Sequence, residues 1–175
     1  YQHFHIAAKR GDPVGLYSIG VMFERGMHVE RDLAKALHYY TKAAELGYSA
    51  AQFNLALVYE QGKGTDTDVS KAMEYYHKAA EQGDVCALHN LGCIFSTGMH
   101  GLERDEAKST RFFMRAAEAG HLEAACNYAY ALFHGQGIAA DPLASAMWYA
   151  RTAAQGHPTA ASNLGIILHY GSGGL

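Results

Sequence analysis

The chain carries no surplus of positive charge. Fourteen Lys and Arg stand against 17 Asp and Glu, for a formal net charge of −3 and a pI near 6.4. Binding to a phosphate backbone requires clustered Lys and Arg, so nucleic acid is not expected as a ligand. No apolar run approaches the roughly 20 residues of a membrane-spanning helix, and no signal-peptide pattern stands at Tyr1. Cysteine is scarce and odd in number, with Cys86, Cys93 and Cys126. Cys86 and Cys93 lie seven residues apart on one predicted helix, about 10 Å of rise. A disulfide needs Cα atoms within roughly 7 Å, so that pair cannot bridge. The thiols read as small buried hydrophobes, which leans weakly toward a reducing, intracellular compartment. No H-x-x-x-H, no C-x-x-C and no nucleophile-elbow pattern occurs. Gly62-Lys63-Gly64 is a turn and not a phosphate loop, which needs four residues between its glycines and a following G-K-[ST]. Neither catalysis nor a cofactor is expected.

What the sequence has in abundance is a repeated stretch. Tyr75-Tyr76-His77-Lys78-Ala79-Ala80-Glu81-Gln82-Gly83 is matched 36 residues earlier by Tyr39-Tyr40-Thr41-Lys42-Ala43-Ala44-Glu45-Leu46-Gly47. Phe112-Phe113-Met114-Arg115-Ala116-Ala117-Glu118-Ala119-Gly120 follows 37 residues later, and Trp148-Tyr149-Ala150-Arg151-Thr152-Ala153-Ala154-Gln155-Gly156 after a further 36. A weaker copy runs from His3 to Gly11. A fixed period between 20 and 50 residues marks a stack of repeats in which each unit touches only its neighbours. The repeats span approximately 11–46, 47–82, 83–119 and 120–155, with partial repeats 1–10 and 156–175, in a single helical-repeat domain over 1–175. Nearly half of the residues, 49%, are hydrophobic, enough for a buried core and against disorder.

Counting from the hinge glycines Gly11, Gly47, Gly83, Gly120 and Gly156, each repeat opens with a predicted helix A. Ile19, Leu55, Leu91, Tyr128 and Leu164 form one rung; Phe23, Tyr59, Phe95, Leu132 and Leu168 form the next, four residues on. Between them sits Gly20, Ala56, Gly92, Ala129 or Gly165. This spacing places all three on one helical face, and the small residue allows another helix to approach. Gly26, Gly62, Gly98, Gly135 and Gly171 stop helix A as left-handed caps. Asp32, Asp68, Asp105 and Asp141 then read as N-caps of a helix B. Pro13, Pro142 and Pro158 suit the first position of a helix. Helix B carries the paired aromatics and paired alanines on one face, and short connections make A and B antiparallel neighbours. The loop from Gly98 to Asp105 holds one extra residue, a cheap surface insertion. Both ends are cut out of register, which reads as part of a longer array.

These positions resemble the Sel-one-like repeat family, a tetratricopeptide-type helical repeat. Its pattern runs A-x-x-x-L-G-x-x-Y-x-x-G-x-G, then D-x-x-x-A-x-x-W/Y-Y-x-x-A-A-x-x-G. Ala51, Leu55, Ala56, Tyr59, Gly62, Gly64, Asp68, Ala72, Tyr75, Tyr76, Ala79, Ala80 and Gly83 meet it. So do Ala124, Ala129, Gly135, Gly137, Asp141, Trp148, Tyr149, Ala153 and Gly156. Tyr128, Ser109, Ser145 and Thr152 depart from it. The resemblance implies an all-α, right-handed solenoid of antiparallel helix pairs whose concave face is lined by A helices. It also implies an adaptor that assembles protein complexes, in settings that include the endoplasmic-reticulum lumen, mitochondria and the bacterial envelope. It transfers no catalytic residue.

Two sets of side chains invite a functional reading. Eleven histidines suggest a metal, but His121 and His157 occupy the same register one repeat apart. Zinc draws its ligand atoms to within about 2 Å of one point, so that pair does not converge and no metal site is expected. By analogy with tetratricopeptide grooves, offsets 6, 10 and 13 from the hinge face the concavity. They place Tyr17, Val21, Phe53, Leu57, His89, Cys93, Tyr130 and Phe133 there as candidate partner-binding residues. A regular row, Asn54, Asn90, Asn127 and Asn163, reads as ties between adjacent helices more than as a peptide-backbone grip. The expected function is a non-catalytic scaffold that binds a protein segment, with self-association through repeat ends as the alternative. An enzyme or metal protein on the repeats ranks last.

Overall fold

The computed structural model describes residues 2–171. Among them no strand occurs; the elements are ten α-helices and one 3-10 turn. In chain order they are α1 (Gln2–Lys9), α2 (Pro13–Arg25), α3 (Leu33–Glu45), α4 (Ser49–Gln61), α5 (Val69–Glu81), α6 (Val85–Thr97), α7 (Glu106–Glu118), α8 (Leu122–His134), α9 (Pro142–Ala153) and α10 (Pro158–Gly171). The 3-10 turn Met99–Gly101 falls in the loop with the extra residue. Even-numbered helices are the A helices and odd-numbered ones the B helices. The chain forms two compact units, Tyr1–Ala87 and Leu88–Leu175, each containing helix pairs in an all-α stack.

The helix ends follow from the sequence. Asp32, Asp68, Asp105 and Asp141 accept from the backbone N–H of Lys35, Lys71, Lys108 and Ala144 at 2.9–3.0 Å. They satisfy a donor that the first helical turn leaves free. In the first three of these repeats the lysine also reaches back to the aspartate, and its ammonium lies 5.0–5.3 Å from the ring centroid of Phe23, Tyr59 or Phe95. At the other end, Gly26, Gly62, Gly98 and Gly135 adopt φ between 66° and 70°.

Packing repeats with the sequence. Ile19, Leu55 and Leu91 are fully buried, as are Tyr40 and Tyr76, the second rings of their B helices. In two repeats the second ring lies on the glycine of its A helix. A methyl group at Gly20 would stand 2.7 Å from the Tyr40 ring, and one at Gly92 2.5 Å from the Phe113 ring. The first ring of each pair stacks on the second A-helix rung: Phe23 on Tyr39, Tyr59 on Tyr75 and Phe95 on Phe112, at 5.8–6.1 Å and within 9° of parallel. In the fourth repeat that rung is Leu132, and Trp148 turns edge-on to Tyr128 instead, at 78°.

One expectation needs correcting. Of the three thiols only Cys126 is buried; Cys93 is half-buried and Cys86 is exposed. Cys86 is the second residue of α6, one place before the buried pair Ala87 and Leu88.

Candidate functional site

In the first unit the A helices α2 and α4 carry Tyr17, Val21, Phe53 and Leu57, all half-buried. The Tyr17 ring lies 5.7 Å from Tyr40 and 5.3 Å from Tyr48, and its hydroxyl accepts from Asn54 Nδ2 at 3.2 Å. Burial raises the pKa of this phenol, and the Asn54 hydrogen bond opposes the rise. Phe53 leans on Tyr76 at 5.9 Å. In the second unit His89 leans on Phe113, also at 5.9 Å. Offset 6 is therefore not independent of the repeat frame, because its side chain rests on the second ring of the B helix.

His89 stacks on His121 with ring centroids 4.5 Å apart, and its Nε2 lies 3.6 Å from Cys93 Sγ and 3.5 Å from Asn127 Nδ2. Burial holds the His89 pKa below the usual imidazole value, the neighbouring His121 adds to this, and Glu123 opposes it. The asparagine row ties elements together as its regularity suggested: Asn54 to Tyr17, Asn127 to His89 and Asn163 to Tyr149.

Tyr130 and Phe133, on α8, are exposed at 46% and 37%. Together with His134, Tyr149, Ile166 and Ile167 they wall an open, mostly apolar cavity of about 280 Å³. Tyr130 also borders a second cavity of about 400 Å³ with Cys93, Ser96, Phe113 and Gln136. The structure thus brings Tyr130 and Phe133 into one recess and His89 into contact with Cys93. The unit-one residues are built into their own core edge.

One cluster escaped the sequence reading. Glu123 and Cys126, one turn apart on α8, meet His157, the residue before α10. Cys126 Sγ lies 3.3 Å from His157 Nδ1, and His157 Nε2 lies 2.8 Å from Glu123 Oε2. Burial, with Glu123 adding to it, pushes the Cys126 thiol up to about 11. The signal was available as a Glu-x-x-Cys pair on one helix face, but its partner stands 31 residues on, beyond any short motif.

The repeat geometry decides the family. A model of the Sel1 repeat matches residues 13–48, 49–84, 87–121, 122–157 and 158–175. The chain belongs to the Sel1 repeat family. Its register opens each repeat at or near the start of an A helix, about two residues after most of the hinge glycines. Among solved structures, a Sel1 repeat protein from Oxalobacter formigenes is similar at 30% identity and a TM-score of 0.87, over 95% of this chain and 68% of that one. The protein c5321, a protective antigen of uropathogenic Escherichia coli with an SLR fold, is 26% identical with a TM-score of 0.67, over 97% of this chain and 44% of that one. A Sel1 repeat protein from Klebsiella pneumoniae subsp. pneumoniae shares the fold at 23% identity and a TM-score of 0.59, over 94% of this chain and 81% of that one. A comparison with curated proteins returned no match. Sel1 repeats as a class mediate protein–protein interaction, and proteins built from them are typically non-catalytic.

Proposed function

We propose that this Sel1 repeat protein is a scaffold that docks a segment of a partner protein on the A-helix face of its second unit, with Tyr130 and Phe133 as anchors. The observation that carries this reading is the exposure of these two rings around an apolar recess. Interface energy concentrates in a few aromatic anchors set in pockets, and a recess of about 280 Å³ accommodates one or two apolar side chains. His89 and Cys93 extend the same face in this unit. Val21 and Leu57, with Tyr17 and Phe53, form the corresponding row in the first unit.

The test is selection of binders from a random-peptide display library on the immobilised protein. Selected peptides should share an apolar or aromatic residue, and Phe133→Glu should abolish their binding while leaving helical content and Tm close to the parent. Glu103→Lys, in the third loop, should bind as the parent does. Retention of binding by Phe133→Glu would place recognition elsewhere.

A second reading, self-association through α10, is favoured by the exposure of Ile166 at 54% and Leu168 at 61%. Exposed apolar residues on one helix mark contact surfaces when they are contiguous. Concentration-dependent sedimentation that is lost in Leu168→Glu supports it; a monomer at all concentrations removes it.

A further inference from the structure

We propose that Glu123, Cys126 and His157 form a binding site for a zinc-class transition-metal cation, with the fourth coordination position open to the A-helix face of the second unit. The proposal does not depend on peptide docking there.

The first argument is convergence. One donor atom from each of the three residues lies within 4.8 Å of the others. A tetrahedral zinc site, with Zn–S about 2.3 Å and Zn–N about 2.0–2.1 Å, separates sulfur from nitrogen by about 3.6 Å. Cys126 Sγ and His157 Nδ1 stand 3.3 Å apart, so a shift of a few tenths of an ångström admits the ion between them. Glu123 is on the same face of α8 as Cys126, and its side chain is 60% exposed, free to rotate its carboxylate onto the metal.

The second argument is the state of the histidine. In the metal-free protein Nε2–H donates to Glu123, which leaves the lone pair on Nδ1, the nitrogen beside the sulfur; Glu123 exchanges this hydrogen bond for the metal when the ion binds. Nδ1 is also 3.4 Å from the Ala160 N–H, a long contact that a metal can displace. His157 is held in place by its position at the start of α10, directly after a hinge glycine at φ +85°.

The third argument is donor chemistry. Thiolate, imidazole and carboxylate form a borderline-soft set suited to zinc and its neighbours, whereas magnesium and calcium select oxygen alone. Three protein ligands leave a position for water or a fourth donor. That position faces a cavity of about 480 Å³ lined also by Asn127, Tyr130, Tyr149 and Asn163.

The same three residues have the hydrogen-bond order of a cysteine nucleophile with its histidine base and orienting acid, but the surroundings oppose that use. Cys126 sits in the second turn of α8 with a side chain that is buried. Two amides just before it are already engaged, Ala124 N–H by His121 Nδ1 and Ala125 N–H by the His121 carbonyl. Neither of these two amides is left to stabilise the oxyanion of a reacting carbonyl.

The test titrates the reduced, chelator-treated protein with Co²⁺ and then Zn²⁺. One equivalent of Co²⁺ should give thiolate-to-metal charge-transfer absorption and the visible bands of a four-coordinate site, and Zn²⁺ should displace it. Cys126→Ser should remove the charge-transfer absorption. His157→Gln and Glu123→Gln should each weaken Zn²⁺ binding by more than about tenfold, the lower end of what losing even an outer-shell partner costs. Cys93→Ser should leave spectrum and stoichiometry as in the parent. The proposal is overturned if the parent shows no saturable binding, if Cys126→Ser keeps the charge-transfer absorption, or if His157→Gln binds Zn²⁺ as tightly as the parent.

Discussion

The two units use one apolar frame and different polar ties. In the first, the second ring of each B helix ends in a hydroxyl that donates to a glutamate on its A helix: Tyr40 to Glu24 at 2.6 Å and Tyr76 to Glu60 at 2.8 Å. Burial and then the Glu24 carboxylate raise the pKa of the Tyr40 phenol. In the second unit both partners change in one repeat, to Phe113 with Ser96, and only the glutamate changes in the other, where Phe133 replaces it and the Tyr149 hydroxyl accepts from Asn163 Nδ2 at 3.1 Å. The tie moves to the start of helix B, where Ser109 and Ser145 donate to the carbonyls of Gly92 and Ala129 at 2.8 and 2.7 Å. The first unit has Ala36 and Ala72 at those positions. Removing the glutamates clears the A-helix face: Ser96 and Phe113 border a cavity, and Phe133 stands exposed beside Tyr130. The frame tolerates a relocated hydrogen bond because ring-on-glycine packing, shared by both units, holds the pair together.

The comparison predicts where the units respond alike and where they part. Tyr76→Ala empties a fully buried ring site and should cost about 3–5 kcal/mol, seen as a large fall in the urea midpoint. Tyr76→Phe, which gives the first unit the second unit's ring, removes one hydroxyl–carboxylate bond and should cost only about 1–3 kcal/mol. If the two variants lose equal stability, the frame does not rest on ring packing. Gly20→Ala and Gly92→Ala push a methyl into a ring in either unit and should each destabilise by about 1–3 kcal/mol. Gly165→Ala, in the same register but with open space around it, should stabilise by up to about 1 kcal/mol through helix propensity alone. Ser145→Ala should cost about 1 kcal/mol, while Ala72→Ser in the first unit should give no comparable gain unless its hydroxyl finds a carbonyl.

The smallest effect is acid sensitivity. Backbone N–H groups and the neighbouring lysines hold Asp32, Asp68 and Asp105 below the usual carboxylate pKa. Their stabilisation is complete above the unfolded value of about 3.9 and is lost as pH falls through the lower folded value. Replacing all three by Asn keeps the caps and should flatten the stability profile below about pH 4 with little change at neutrality. An unchanged profile would assign acid lability to other groups.

The fold was legible because helix caps, rungs and hinges are local features that recur at one spacing. Asp68, Gly62 and Tyr76 could be assigned without knowing what touched them. The face presented by offset 6 was less legible, since Tyr17 and Phe53 lean on rings contributed by another helix. Register alone does not say whether such a side chain points at a partner or at its own frame. The Glu123–Cys126–His157 cluster was invisible for a further reason. The distance across a hinge depends on how one helix pair rotates against the next. That rotation has no signature in spacing.

Gly64 and Gly137 bear on that rotation. Both have positive φ, and a methyl at Gly64 would stand 2.9 Å from the Leu33 backbone, while one at Gly137 would collide with the Glu106 carbonyl group. Leu33 and Glu106 are the first residues of α3 and α7, so each glycine lets a loop of one repeat rest against the opening of the preceding B helix. The contact lies at the end of the helix pair and acts as a fulcrum. A side chain there would separate the repeats at one end only and tilt them. Within each unit, how closely consecutive repeats meet at this end is thus set by the absence of a single carbon atom.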